Sequence, residues 1–238
     1  MTTHYRTKGF VFKREDRLEA DRVFFAFTHD FGKVEIFAKA IRRIASKLKS
    51  GIEIFSLSEL SFIRGKIRNT LTDAVFLERF SQIPIAPEKM EIARRVSGAF
   101  DTFIRGQAPD EKIFHFIVDF FEKLNAESLI KNQELVYSYF MWNFFTMLGY
   151  GPELSRCAVC LKTPDPKVIY FSNKEGGMVC QNCAAQTKDA EKINADIVKV
   201  LRIILRSDWH TTLKLKIELP SLKLLQDILS HYYSYIKA

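Results

Sequence analysis

The 238-residue sequence is short of the features that announce a secreted, membrane-bound or catalytic protein. It holds only four cysteines, too few for the disulfide framework of a small secreted domain. Its longest apolar runs, such as residues 23–28 and 139–148, fall far below the roughly 18–20 residues that a membrane-spanning helix needs. Residues 1–6 carry no charged head leading into an apolar stretch, so no secretory leader is expected and the chain is assigned to the cytoplasm. Seven prolines and ten glycines exclude a collagen-like chain, and 47% apolar with 27% charged residues excludes a disordered one.

Catalytic motifs are missing too. There is no phosphate-binding glycine loop, no G-x-S-x-G and no H-E-x-x-H. The five histidines, His4, His29, His115, His210 and His231, are scattered, and none lies in a metal-binding or nucleophile motif. Paired carboxylates such as Glu15-Asp16 stand among arginines, where solvated charge is the simpler reading. The sequence is therefore read as a binding module and not as an enzyme.

Phenylalanine and positive charge are abundant. Twenty-one phenylalanines predict an aromatic-rich core, and a chain of this length can bury one without covalent staples. The formal net charge of +8 points to a polyanionic partner. It is unevenly spread: residues 1–80 carry a net +6, residues 81–150 a net −2, and residues 151–238 a net +4.

Hydrophobic periodicity changes near residue 80. Before it come five short β-branched and aromatic runs, residues 5–13, 22–29, 33–39, 52–63 and 71–80, with a tight hairpin expected at Asp30-Phe31-Gly32. This pattern suits a small antiparallel barrel of the OB type, although Tudor-like and SH3-like barrels give similar patterns. Beyond Pro84 and Pro87 the period is helical. Helices are expected at residues 88–104, from Pro109-Asp110-Glu111 onward, at 132–148, 190–206 and 221–236, the third being apolar on most of its surface. The fold class is thus α+β, with an N-terminal five-stranded OB-type barrel over residues 1–80 and a helical domain over 81–238. A metal module is inserted at about residues 154–186.

That module rests on Cys157-Ala158-Val159-Cys160 and Cys180-Gln181-Asn182-Cys183. Two C-x2-C knuckles, 19 residues apart, have the spacing of a tetrahedral four-thiolate zinc site. The competing readings are two disulfides, a redox dithiol, or four buried thiols. Disulfides do not fit the expected compartment, and the context of a redox dithiol is missing. Four protein ligands leave no open position, so the Zn2+ is expected to be structural. Between the knuckles, residues 167–172 and 178–179 are expected to pair as a hairpin, with Gly176-Gly177 supplying its positive φ values.

Two basic clusters fall on the candidate barrel. Lys39, Arg42, Arg43, Lys47 and Lys49 lie within eleven residues, and Arg64, Lys66 and Arg68 precede the last strand. Such clusters neutralise phosphates without contacting bases. Phe24 and Phe37 are candidate base-stacking platforms, with packing against the helical domain as the competing reading. Alternation places Val34, Ile36 and Ala38 on one face of their strand and Glu35, Phe37 and Lys39 on the other.

In order along the chain come Lys8-Gly9-Phe10-Val11-Phe12 with Arg14, then Phe27-Thr28-His29-Asp30-Phe31-Gly32. Ala38-Lys39-Ala40-Ile41-Arg42-Arg43 with Ser46, Leu148-Gly149-Tyr150-Gly151-Pro152, and the cysteine pairs around Gly176-Gly177 follow. This series resembles the RecO-type recombination mediators of bacterial DNA repair, over about residues 5–235. The resemblance implies a nucleoid-associated protein that binds single- and double-stranded DNA and anneals complementary strands. It also implies partnership with RecR, contact with the acidic C-terminal tail of single-stranded-DNA-binding protein, and, indirectly, the loading of RecA. By position, Lys39, Arg42 and Arg43 match the family's basic segment and the four cysteines its zinc ligands. Two departures stand out. Ala40 replaces the Gly that usually follows the lysine, and Leu161 the Gly that follows the second cysteine, so the turns at both places are expected to differ. Composition alone also accommodates an RNA-binding OB/zinc protein of translation or ribosome assembly, or a scaffold that binds an acidic peptide.

Overall fold

A computed structural model describes residues 3–206 and 208–238. It divides into two compact units, one ending at Ser128 and the other beginning at Leu129.

The first unit opens with five strands: β1 (Thr3–Arg17), β2 (Asp21–Thr28), β3 (Gly32–Ala38), β4 (Ser56–Arg64) and β5 (Asn69–Arg79). They close into a barrel in the order β1-β2-β3-β5-β4, with β1 paired to both β2 and β4. The β3–β5 pair is parallel, through Ile36–Asn69 and Phe37–Thr70, and all other pairs are antiparallel. This is the five-stranded Greek-key barrel of the OB type. β1 is long enough to serve two neighbours because its register shifts between Val11 and Lys13, a bulge that bends the strand around the barrel.

Alternation sorts the side chains as expected for β3: Val34, Ile36 and Ala38 enter the barrel interior with Val11, Ala26, Leu60, Phe62 and Leu71. Phe24 belongs to that interior as well, 1% exposed and paired directly with Ile36. The β2–β3 hairpin turns where expected. Thr28 Oγ1 accepts from Phe31 N at 3.1 Å and donates to Gly32 O at 2.9 Å. Gly32, at φ +60°, leaves no room for a side chain, since a Cβ there would lie 2.4 Å from the Ala108 carbonyl oxygen.

Outward-facing aromatics of β1 and β2 are covered by α1 (Pro87–Phe103) and α2 (Glu111–Ala126). Phe10 meets Phe121 at 4.5 Å between ring centroids, and Phe12 and Phe27 meet Phe100 at 5.4 and 5.3 Å. An ionic contact reinforces this packing: Asp101 of α1 lies 3.1 Å from Lys13 Nζ and 2.6 Å from Lys33 Nζ. Burial alone would raise the Asp101 pKa, but hydrogen bonds from the two lysines outweigh it and hold the carboxyl below its ordinary range. The first unit therefore extends past the switch from strand to helix, because these helices bury their aromatic faces on the barrel.

The second unit is built on α3 (Gln133–Met147), whose apolar residues run all round the helix. Around it lie α5 (Ala195–Leu205), α6 (Trp209–Lys214) and α7 (Leu219–Lys237). Trp142 of α3 stacks on Tyr232 of α7 at 5.1 Å, and Tyr232 donates its hydroxyl to Tyr150 O at 2.9 Å. Burial of that phenol pushes its pKa up to about 12. Gly149, at φ +88°, follows the C-terminal end of α3, and Tyr150 N returns to Phe145 O, so the Gly-Tyr-Gly-Pro segment is a helix stop.

A three-stranded sheet, in the order β7-β6-β8, completes this unit: β6 (Ile169–Ser172), β7 (Gly177–Cys180) and β8 (Ala190–Ile193). The hairpin between the knuckles forms as expected, with one correction. Gly176 takes the positive φ, +67°, but Gly177 does not. Gly177 is instead required by close approach, since a Cβ there would lie 2.4 Å from the Glu153 carbonyl oxygen across a backbone bridge. Residues 190–193 also differ from expectation. They form a strand because the free edge of β6 takes them as a partner, Ile169 opposite Ile193, overriding the helix preference of Ala-Glu-Lys. The helix begins after Asn194, whose side chain accepts from Ile197 N.

Candidate nucleic-acid interface and metal centre

The four cysteines reach one point from three directions. Cys157 and Cys160 lie on the loop after Glu153, Cys180 ends β7, and Cys183 lies on α4 (Gln181–Ala184). Glu153 holds the first knuckle to the hairpin: its N–H donates to Gly176 O, and its carbonyl accepts from Met178 N. The chain turns back at Leu161, which takes φ +62° and donates its N–H to Cys157 O at 2.9 Å. The turn thus keeps the left-handed geometry that a glycine would adopt more easily.

All four sulfurs lie within 4.8 Å of one another, and Cys160 Sγ is 3.8 Å from Cys180 Sγ. That separation is far beyond a disulfide bond. It equals the edge, about 3.8 Å, of a sulfur tetrahedron around an ion with metal–sulfur bonds near 2.3 Å. Burial opposes ionisation of Cys157, but backbone N–H groups of Cys160, Cys180 and Val159 outweigh it and lower its pKa to about 6. Cys183 moves the other way, up to about 12, because it donates to the Cys180, Cys160 and Cys157 sulfurs, is partly desolvated and faces the Cys157 charge. Such a thiol cluster holds one negative charge readily and resists further ones unless a cation is placed among them. The donor set and spacing fit a closed, four-coordinate metal site.

On the barrel, the loop joining β1 to β2 and the loop joining β4 to β5 flank an open cleft of about 520 Å³. Its floor is the outer face of β2 and β3, through Val23, Glu35 and Phe37, and its walls are Arg17, Leu18, Ile67 and Arg68. This is the face on which OB barrels receive oligonucleotides. Two apolar side chains stand out at its rim, Leu18 at 86% and Ile67 at 97% exposed, each beside an arginine.

The expected basic residues divide around this cleft. Arg68 is part of it, Lys66 shares its loop, and Arg64 ends β4 just before that loop. The segment after β3 is fastened to the β1–β2 loop: Arg42 N donates to Ala20 O, and Ala40 N to Asp21 Oδ1. Ala40 stands at φ +53°, so this turn too keeps a left-handed residue without glycine. Lys39, Arg42 and Arg43 are therefore carried beside the β1–β2 loop and are exposed, although none of them lines the cleft. Asp16 accepts from Arg22 at 2.7 Å and lies 3.6 Å from Arg42. The bond from Arg22, followed by the charge of Arg42, holds the Asp16 carboxyl below its ordinary range. Glu15-Asp16 thus lies on the paired end of β1, opposite Val23 and Arg22. Lys39, Arg43, Lys47, Lys49 and Lys66 form no ion pair among the described residues. Lys47 and Lys49 sit elsewhere, on a 3-10 turn (Lys47–Ser50) packed against β5, where Lys49 lines a separate cleft with Phe76 and Arg79.

Neither expected stacking platform presents a free ring. Phe24 is inside the barrel, so it offers no face to a base. Phe37 is on the outer face but 9% exposed, because the Arg68 guanidinium lies over its ring at 3.7 Å. The rim residues Arg17, Leu18 and Ile67 escaped the sequence reading. The signal for them was an apolar side chain beside a cation in a loop, Arg17-Leu18 and Lys66-Ile67-Arg68.

No helix among the described residues is long and apolar enough to cross a membrane. Residues 1–80 match the family described as recombination protein O, N terminal, and residues 87–236 match recombination protein O, C terminal. A curated DNA repair protein RecO from Dehalococcoides mccartyi is 30% identical over 213 residues, covering 90% of this chain and 83% of its own. RecO from Caldanaerobacter subterraneus is 27% identical over 208 residues, 86% of this chain and 81% of its own. RecO from Desulforamulus reducens is 23% identical over 231 residues, 97% and 89%. Both halves of the fold and nearly the whole length agree, and the chain belongs to the RecO family of DNA repair and recombination proteins.

Proposed function

We propose that this protein is a recombination mediator without catalytic chemistry, which binds single- and double-stranded DNA across the barrel cleft and anneals complementary strands. With RecR it helps load RecA onto strands coated by single-stranded-DNA-binding protein, whose acidic tail it contacts. The observation that carries the DNA reading is the cleft between the β1–β2 and β4–β5 loops, walled by Arg68 and by Arg17, which pairs with Glu15 at 2.6 Å, with Lys39, Arg43 and Lys66 nearby and without acidic partners among the described residues. Lys39, Arg42, Arg43, Arg64 and Lys66 would take phosphates, and such contacts leave base edges free to pair, as annealing requires. Arg68, backed by Phe37, offers a flat guanidinium on which a base can stack. Lys47 and Lys49 would extend the positive field along β5. The closed thiol cluster supports Zn2+ held by Cys157, Cys160, Cys180 and Cys183, which would cross-link the hairpin and both knuckles and take no part in DNA chemistry.

The test is annealing of two complementary labelled strands by the zinc-loaded protein, from about 50 to 200 mM salt. Acceleration that weakens with salt, and falls when Arg42 and Arg43 are replaced by Ala, is the expected result. No acceleration at any salt, or preferential capture of RNA over DNA of the same sequence, would contradict the reading.

A further inference from the structure

His29, Glu111 and His115 are far apart in sequence, and the fold brings them together within the first unit. Their potential ligand atoms all lie within 4.8 Å of one another, the one such group besides the cysteines among the described residues. Glu111 and His115 are one turn apart on α2, with Glu111 Oε1 3.7 Å from His115 Nε2. Capping of α2 is done by the neighbouring Asp110, which accepts from Ile113 N and leaves Glu111 available. His29 follows β2, and its ring stands edge-on to Phe114 at 5.5 Å and 6.3 Å from the His115 ring.

The surroundings of His29 are those of a metal-ligating imidazole. Its Nδ1 is 2.9 Å from Asp30 Oδ1, and a carboxylate can only accept, so Nδ1 carries the hydrogen and Nε2 the lone pair. Asp30 is anchored in turn, accepting from Thr7 Oγ1 at 2.6 Å through its other oxygen. We propose that His29, Glu111 and His115 form an open divalent transition-metal site that fastens the β2–β3 hairpin to α2. Two imidazole nitrogens and one carboxylate oxygen select Zn2+, Ni2+, Co2+ or Cu2+ over the oxygen-seeking Mg2+ and Ca2+. Three protein ligands at an exposed position leave water to complete the shell, so this ion exchanges, unlike one enclosed by four thiolates.

The experiment uses the untagged full chain with its cysteine site loaded with zinc. It is dialysed against Ni2+, and both metals are counted per chain by elemental analysis. One nickel should bind without loss of zinc, and His115→Ala should weaken it at least about tenfold. His115 is exposed, so this variant keeps the fold, and thermal melting in the absence of nickel verifies that. Asp30→Asn, which alters positioning and not ligation, should weaken nickel by about 10-fold or more. In NMR spectra with added Zn2+, the ring protons of His29 and His115 should shift, while those of His4, His210 and His231 should not. Equal nickel binding by wild type and His115→Ala, nickel that enters only by displacing zinc, or no binding would overturn the proposal.

Discussion

Replacing Phe24 by Ala should cost stability and leave the DNA surface unaltered, whereas replacing Arg68 should do the reverse. Phe24 is 1% exposed among Val11, Ala26, Ile36, Leu60 and Phe62, all held by a closed ring of strands that cannot collapse onto a void. A Phe→Ala change in such a site costs about 3–5 kcal/mol, the lost transfer energy plus the cavity left behind. At roughly 3 °C per kcal/mol for a unit of this size, melting should fall by about 10–15 °C. Phe37, 9% exposed beneath Arg68, is itself largely buried, so Phe37→Ala should lower melting too, whereas Arg68→Ala should not. Arg68→Ala should weaken single-stranded DNA binding by about 1–3 kcal/mol, the worth of one stacked base. Thermal unfolding by near-ultraviolet circular dichroism and titration of a fluorescent strand below the melting transition measure the two effects. A Phe24→Ala protein with unchanged melting and lost DNA binding would refute the interior placement of that ring, and with it the strand register.

Three further outcomes are expected. Cys157→Ser should abolish the metal stoichiometry of the cysteine site and unfold residues around β6 and β7, seen as new proteolytic cleavage there while the barrel stays resistant. Ala40→Gly should stabilise the protein by about 0.5 kcal/mol in urea unfolding, since relief of a left-handed alanine slightly exceeds the added unfolded-state entropy. The Asp101 pKa is lower folded than unfolded, so its contribution is full at neutral pH and is lost as pH falls from about 4 through the folded value. Asp101→Asn should therefore be less stable than wild type at pH 7 and should lose less stability on acidification to pH 3.

The barrel was legible in the sequence because its strands are short β-branched and aromatic runs, one of them alternating at Val34, Ile36 and Ala38, and because Asp30-Phe31-Gly32 has the chemistry of a tight turn. The cysteine cluster was legible because knuckle spacing is local and survives any fold. What failed depends on distant partners. The phase of Phe24 follows from its pairing with Ile36, and its nearest neighbours in β2, Val23, Phe25, Ala26 and Phe27, are all apolar, so its own strand gives little clue. The fourth strand was expected from residue 52 but starts at Ser56, because Phe55 takes φ +55° and donates its N–H to Val11 O. His29 and His115 looked scattered because only the packing of α2 on the barrel joins them.

The central claim is that the cleft between the β1–β2 and β4–β5 loops holds DNA by its phosphates and not by its sequence. The salt dependence of single-stranded DNA affinity, measured for wild type, the Arg43→Ala/Lys66→Ala double variant and Lys49→Ala, tests it most directly. The double variant should bind unrelated strands equally weakly, with a slope of log affinity against log salt shallower by about 1.4, two phosphates at about 0.7 each. Lys49→Ala, altered in a separate cleft, should shift the slope by well under the about 0.7 that one lost phosphate contact gives. An unchanged slope in the double variant, or a larger loss in Lys49→Ala, would place the DNA elsewhere on the barrel and contradict the account.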